Sequence, residues 1–232
     1  MMIGKIFRFR TNDNKLEIAR DRFNINIATD NNKLHRPYIV FYSDDKVYYL
    51  TVKTLTKKNK ETVNRSKDFN VTLLNENIYN KLLSGNKLGN VIDCSVVNIM
   101  DKKLFEKLFQ DNEHRNNYQL NPWIYDKVMI QLYENKHNLI FHEVTGFDFE
   151  NNRTRWMLDI VKTYEGRLKY NKWLIRTKKI VQEVINVYHS MPRDELNKRL
   201  DDKNSFITYI KQIYYGKLKS LYADEFKQDF DN

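Results

Sequence analysis

Apolar and polar residues alternate through much of the first hundred positions, which predicts β-strands. Residues 3–10 (IGKIFRFR) have the alternation of a half-buried strand. Residues 38–42 (YIVFY) form the short continuous apolar run of a strand buried on both faces. Residues 47–53 (VYYLTVK) follow the turn residues 43–46 (SDDK), so the two apolar segments are predicted to pair as a hairpin. Further strand candidates are residues 69–74 and 88–100.

From residue 101 onward, apolar residues recur mainly at helical spacing. Asp101 is predicted to cap a helix over residues 102–109, and Asn121 is predicted to cap a second helix that has Pro122 in its first turn. Residues 153–189 form a long helical pattern with one break near Gly166. Two more helices are predicted, one that begins at residue 192 and one over residues 205–222. The pattern of residues 139–149 is ambiguous, and an additional strand is one alternative there.

Composition limits the classes of protein to which the chain can belong. It has 232 residues, of which 41% are hydrophobic and 13% aromatic, so it has the means to build a core and is not disordered. Cys94 is the only cysteine, which excludes a disulfide framework and a cysteine-based zinc site. No apolar run is long enough for a membrane helix and no signal peptide opens the chain, so we expect a cytoplasmic protein with no membrane partner.

The charge is unbalanced, with 40 Lys and Arg against 30 Asp and Glu, a formal net charge of +10. A polyanion such as nucleic acid is therefore a plausible partner. The chain is also rich in Lys and Asn, as AT-rich coding produces, so net charge alone is weak support for nucleic-acid binding. The position of the charges has to carry that argument.

The segment around Arg36 and the end of the following strand together suggest a phosphate site. Arg36 precedes Pro37, which favours an extended backbone at the start of a strand. If the hairpin forms, the segment 53–58 (KTLTKK) lies near the same end of the sheet. Arg binds a phosphodiester bidentately, a threonine hydroxyl donates a hydrogen bond, and Lys neutralises charge. The alternative is an ordinary strand start beside a solvated loop.

Five short segments of the first hundred residues form a further pattern: Gly4-Lys5-Ile6-Phe7, His35-Arg36-Pro37-Tyr38-Ile39-Val40, Thr54-Leu55-Thr56-Lys57, Phe69-Asn70-Val71-Thr72-Leu73 and Cys94-Ser95-Val96-Val97-Asn98-Ile99. Through these segments, residues 1–100 resemble the MazF/PemK (Kid) family of toxin ribonucleases. The ToxN/AbiQ ribonucleases of RNA-antitoxin systems are also similar, through Tyr49-Leu50 and residues 54–57. The sequence departs from the MazF pattern at Lys5, where Asp is usual, and its last 110 or so residues have no counterpart in the short family members.

The resemblance implies a fold and an activity. The expected fold is α+β, with a small bent antiparallel sheet or SH3-like barrel in a domain over residues 1–110 and a helical region, residues 111–232, packed on it. The expected activity is metal-independent RNA cleavage by 2′-hydroxyl attack, without a cofactor. Arg36 and a threonine, Thr54 first and Thr56 second, would lie at the scissile phosphate, with Lys57 assisting. Expected partners are RNA and an antitoxin, which is either a protein or an RNA. The resemblance leaves three points open: whether the protein forms a homodimer, which RNA sequence it cleaves, and which antitoxin inhibits it.

Other residues have weaker claims to a role. His35 is an acid/base candidate, although in an extended segment it points away from the face of Arg36. His137 with His142 and Glu143 is a poor metal-ligand pattern. Basic residues that could contact an RNA backbone are Lys58, Arg167, Lys172, Arg176 and Lys179. The alternative functions are a non-catalytic nucleic-acid-binding protein of a plasmid or phage and a protein-binding scaffold or inhibitor.

Overall fold

A computed structural model of the chain describes residues 1–8, 17–23, 37–65, 70–73, 87–109, 118–151 and 153–228. The strands in these residues are β1 (Lys5–Arg8), β2 (Pro37–Ser43), β3 (Lys46–Thr56), β4 (Asn70–Leu73), β5 (Lys87–Asp93), β6 (Val96–Asp101), β7 (Tyr118–Gln119), β8 (Ile140–Asp148) and β9 (Arg153–Trp156). The α-helices are α1 (Lys60–Arg65), α2 (Lys102–Phe109), α3 (Pro122–Glu134), α4 (Tyr164–His189), α5 (Arg193–Asn197) and α6 (Lys203–Gln228), and a 3₁₀ helix spans Met157–Lys162.

Strands β2 and β3 form the predicted hairpin. Ser43 pairs with Val47, and Tyr38 pairs with Thr51 at the far end, with a bulge between Val40 and Tyr42. In the turn, Lys46 N–H donates to the side chain of Asp44 (2.7 Å), so the Asp closes the turn as its residue type favours. All seven residues of β2 are buried, as the apolar run predicts.

Strand β3 is the centre of the sheet. It pairs antiparallel with β2, with β6 along residues 46–49 and with β5 along residues 52–56. The strand order is β7-β1-β2-β3-β6-β8-β9, and β4 joins through β5. Between β5 and β6, Ser95 donates through its backbone N–H (3.1 Å) and its hydroxyl (2.5 Å) to the carboxylate of Asp93. This local turn lets β5 and β6 follow one another along β3.

The α+β prediction is confirmed, but the sheet is open, so the SH3-like barrel is not confirmed. The sheet also extends beyond the predicted antiparallel one, because β7, β8 and β9 come from residues after 110. Strand β8 is parallel to β6. A parallel neighbour requires a long crossover connection, and the chain between β6 and β8 provides it, with α2, β7 and α3 on the way. The division into domains at residue 110 stays a prediction.

Two buried clusters hold the sheet and helices together. The larger cluster packs α3, α4 and α6 against the sheet, and Ile39, Phe41 and Leu50 are among its strand residues. The smaller one contains Tyr38, Val40, Tyr49 and Trp156 with Phe105 of α2. Neighbouring residues of β2 fall into different clusters because side chains alternate across a strand, and this explains why the strand is apolar on both faces.

The long helix begins later than the periodicity predicts. Residues 153–156 form β9 and residues 157–162 the 3₁₀ helix, while α4 starts after Thr163, whose hydroxyl accepts from Gly166 N–H (3.0 Å). A β-carbon at Gly166 would lie 1.6 Å from the carbonyl oxygen of Ile160, so this close approach requires glycine. The α-helix predicted over residues 153–163 was wrong because Trp156 and Ile160 continue the helical spacing, although Trp156 lies in a strand and Ile160 in a 3₁₀ helix. By contrast, the Asn121 cap of α3 is confirmed, with Trp123 N–H donating to its side chain (2.9 Å).

Candidate functional site

The end of β3 presents the hydroxyl and ammonium groups that the sequence singled out. Thr54 pairs with Asn90 of β5 and has an exposed side chain. Thr56, the last residue of the strand, is half-buried, and Lys57 and Lys58 follow in an exposed turn before α1. The structure therefore places Thr54, Thr56, Lys57 and Lys58 on one short segment at the end of a central strand.

Asn59 fixes the shape of this segment and is not among the predicted site residues. Its side-chain oxygen accepts from Thr56 N–H (2.6 Å), and its side-chain amide donates to the carbonyl of Thr54 (2.9 Å). Its own N–H donates to the hydroxyl of Thr56 (3.3 Å). Asn three residues after Thr is a turn-forming pattern, and this was the signal available in the sequence.

The bond from Asn59 leaves the Thr56 hydroxyl with its hydrogen available for donation. A hydroxyl has one donor and two acceptor positions, and Asn59 N–H occupies an acceptor position. The Thr54 hydroxyl lies on an exposed side chain. Two hydroxyl donors and two ammonium groups within five consecutive residues are suited to bind a phosphate oxygen.

Lys53 has a different role, although it lies in the same stretch of sequence. Side chains alternate along β3, so Lys53 points to the face opposite Thr54. There it forms an ion pair with Asp93, whose side chain is 4% exposed and also accepts from Ser95. This Lys neutralises a buried carboxylate, and the exposed cations at the end of β3 are Lys57 and Lys58 within the described residues.

Arg36 and His35 lie outside the described residues. Pro37, which follows them in the sequence, opens β2 and pairs with Arg8 of β1. Because β2 and β3 are antiparallel, the start of β2 and the end of β3 belong to the same end of the sheet, and Tyr38 pairs with Thr51. The hairpin that the phosphate-site hypothesis requires is therefore present.

The remaining predicted RNA contacts lie on a separate element. Arg167, Lys172, Arg176 and Lys179 are all exposed on α4. This helix packs on α3, α6, β8 and the 3₁₀ helix, whereas the end of β3 packs on β5 and α1. Lys58 is thus the one predicted backbone contact that lies in the β3–α1 turn.

The two histidines considered as metal ligands have other environments. His142 is buried and its ring nitrogen Nε2 lies 3.1 Å from the carbonyl oxygen of Asp21, and burial lowers its pKa below 6.5. Glu143 binds Lys46 and Trp173, and His137 is exposed. The described part of the chain contains no group of three His, Cys, Asp or Glu side chains with the geometry to hold a metal ion.

Comparison of the chain with protein-family models, with curated proteins and with solved structures finds no match. None of the helices within the described residues combines the length and the apolar character needed to cross a membrane.

Proposed function

We propose that the protein is a metal-independent endoribonuclease whose reaction takes place at the end of β3. The observation that carries the proposal is the turn after β3. There Asn59 holds Thr54 and Thr56 beside the exposed Lys57 and Lys58. The antiparallel β2–β3 hairpin supports it, because β2 begins directly after Arg36 in the sequence.

The proposed reaction is a transesterification within the RNA chain. The 2′-oxygen attacks the adjacent phosphorus and forms a P–O2′ bond while the P–O5′ bond breaks. The products are a 2′,3′-cyclic phosphate and a 5′-hydroxyl. A base removes the 2′-hydroxyl proton, and the departing 5′-oxygen gains a proton. The phosphorane-like transition state carries extra negative charge on the non-bridging oxygens, so hydrogen-bond donors and cations around them accelerate the reaction.

Each group of the site has a proposed role in this reaction. Arg36 binds and stabilises the non-bridging oxygens bidentately. The hydroxyls of Thr54 and Thr56 donate to the same phosphate, and Lys58 neutralises backbone charge. Lys57 protonates the 5′-oxygen or stabilises its charge. His35 is the candidate base for the 2′-hydroxyl proton. Cellular RNA is the proposed substrate, and a cognate antitoxin, protein or RNA, is the proposed inhibitor.

Incubation of the purified protein with mixed RNA in the presence of EDTA tests the proposal. We expect cleavage fragments with 5′-hydroxyl ends and 2′,3′-cyclic phosphate ends. Arg36→Ala should abolish most of the cleavage. Arg153→Ala, which removes an exposed arginine from β9, is the matched control and should cleave normally.

Two other results would assign a different function. Tight, salt-sensitive RNA binding without cleavage would identify a non-catalytic nucleic-acid-binding protein. A protein that neither binds nor cleaves RNA would leave the scaffold or inhibitor class as the remaining alternative. Cleavage that disappears in EDTA and returns with a divalent cation would contradict the metal-independent mechanism.

A further inference from the structure

The outward side of α4 carries a stripe of exposed apolar side chains. Tyr164 is 69% exposed, Leu168 46% and Ile175 71%. Their spacings of four and seven residues put them on one face of the helix, over about 16 Å. The opposite face is buried through Trp173, Thr177 and Val181, so the stripe points away from the protein body.

Basic side chains flank this stripe on both sides. At about 100° per residue, Arg167 lies along one flank and Lys172 and Lys179 lie along the other, while Lys178 continues the line of the stripe beyond Ile175. All four are exposed. Glu165 is the only acidic residue between positions 164 and 180. We call this combination of apolar stripe and basic flanks the outer face of α4.

The spacing of the outer face is that of a coiled-coil seam. Tyr164, Leu168, Asn171 and Ile175 follow the alternating steps of four and three residues that d and a positions require. Lys172 and Lys179 then occupy e positions and Arg167 a g position. Charges at e and g select the partner helix in such pairs, and a polar residue within the seam fixes the register.

The pattern discriminates between the kinds of partner. A nucleic-acid backbone would pair with the cations but leave Leu168 and Ile175 against polar phosphates. A second copy in a symmetric helix pair would bring Lys and Arg against Lys and Arg. A lipid surface would require Asn171, inside the stripe, and Lys178, which continues it, to enter the apolar layer. An acidic amphipathic helix complements both the stripe and the flanks.

We propose that the outer face of α4 binds an amphipathic helix of another protein, with apolar residues at its a and d positions and Glu or Asp at e and g. The interaction is independent of the RNA-cleaving site proposed at the end of β3. The partner's apolar side chains cover Leu168 and Ile175, and its carboxylates meet Arg167, Lys172 and Lys179.

Binding of a designed helical peptide to the full-length protein tests this proposal. The probe is a fluorescent peptide of about three heptads with Leu at a and d and Glu at e and g. A peptide of the same composition with the heptad order scrambled is its control. Fluorescence anisotropy should show saturable binding of the heptad peptide and much weaker binding of the scrambled one.

Variants separate the apolar from the charged contribution. Leu168→Ser and Ile175→Ser should each weaken binding roughly 10- to 100-fold, as the loss of one buried aliphatic side chain predicts. Lys172→Glu should weaken it roughly two- to fivefold, as expected for a partly exposed ion pair. Phe23→Ser, which removes an apolar side chain that is 79% exposed elsewhere, should leave binding and the melting temperature unchanged.

Several outcomes would overturn the proposal. One is no peptide binding, or equal binding of the scrambled peptide. A second is that a single-stranded RNA oligonucleotide binds in place of the peptide, and that Lys172→Glu weakens this RNA binding while Ile175→Ser does not. A third is binding to phosphatidylserine vesicles that Ile175→Ser removes while the peptide does not bind. The last is self-association in sedimentation that Ile175→Ser abolishes.

Discussion

Trp173 of α4 donates its indole N–H to the carboxylate of Glu143 on β8, within the buried face between helix and sheet. The other carboxylate oxygen accepts from the ammonium group of Lys46 on β3 (2.6 Å). Glu143 therefore links the helix to two strands of the sheet. The bond lies on the buried face of α4, and Leu168 and Ile175 lie on the opposite, exposed side of the helix.

Trp173→Phe tests this link. Phenylalanine keeps much of the buried ring but lacks the N–H, so one oxygen of Glu143 loses its donor in a buried position. A lost partner of a buried polar group costs about 1–3 kcal/mol of the free energy of unfolding. Chemical denaturation measures this change. Tyr164→Phe on the exposed side of the same helix is the control and should change stability by less than about 0.5 kcal/mol. Equal stability of the Trp173 variant and the wild type would contradict the link.

The buried His142 makes stability depend on pH. Burial lowers its pKa in the folded protein below the ordinary 6.5, so the unfolded chain binds a proton more readily. The stabilising effect of a neutral His142 is fully present above pH 6.5 and is lost as the pH falls below that value toward the lowered pKa. Denaturation midpoints measured across this range should therefore decline with acidification. His142→Asn, which does not titrate, should show a smaller decline, and an identical decline in both proteins would exclude this residue as the cause.

Arg36 is the residue on which the proposed chemistry depends most. Arg36→Ala should lower the cleavage rate roughly 10²- to 10³-fold, by analogy with the loss of one oxyanion donor. Arg36→Lys should recover little of the lost cleavage rate, because an ammonium group cannot reproduce the bidentate geometry of the guanidinium group. Single-turnover cleavage of a defined RNA measures the rate directly. Unchanged activity in Arg36→Ala, with normal folding, would remove Arg36 from the site.

Thr54→Val removes a hydroxyl and keeps the branched shape. Since Thr54 is exposed, we expect a change in stability within about 0.5 kcal/mol. The lost hydrogen bond to a charged phosphate should lower the cleavage rate roughly 10- to 100-fold. A rate equal to that of the wild type would argue against a contact between Thr54 and the phosphate.

Asn59 should act by positioning the turn rather than by touching RNA. Asn59→Ala removes the side-chain bonds to Thr54 and Thr56, and we expect kcat to fall with a smaller change in KM. Asn59→Asp keeps the acceptor for Thr56 N–H but loses the donor to Thr54 and adds a negative charge beside the proposed phosphate, so its kcat should fall at least as far as that of Asn59→Ala. A change in KM alone would indicate a direct RNA contact instead.

Local patterns allowed much of the fold to be predicted. The apolar run at residues 38–42, the Ser43–Lys46 turn and the returning strand fixed the hairpin, because turn chemistry and pairing act over a few residues. The cap at Asn121 is equally local. For the candidate site, the sequence singled out Thr54, Thr56, Lys57 and Lys58, since they lie within five consecutive positions at the end of one strand.

Only the tertiary structure decided the features that join distant segments. Strand β8 is parallel to β6, a pairing that the local pattern of neither segment reveals. Residues 153–156 are a strand rather than the start of a helix, because their antiparallel pairing with β8 overrides a helical spacing of apolar residues. Lys53 and Lys57 look alike in the sequence, but Asp93, forty residues further along, binds Lys53 and leaves it a structural role. Likewise, the helical pattern of α4 shows both an aromatic and a basic side, but only packing against β8 determines that Trp173 is buried and that Ile175 is exposed.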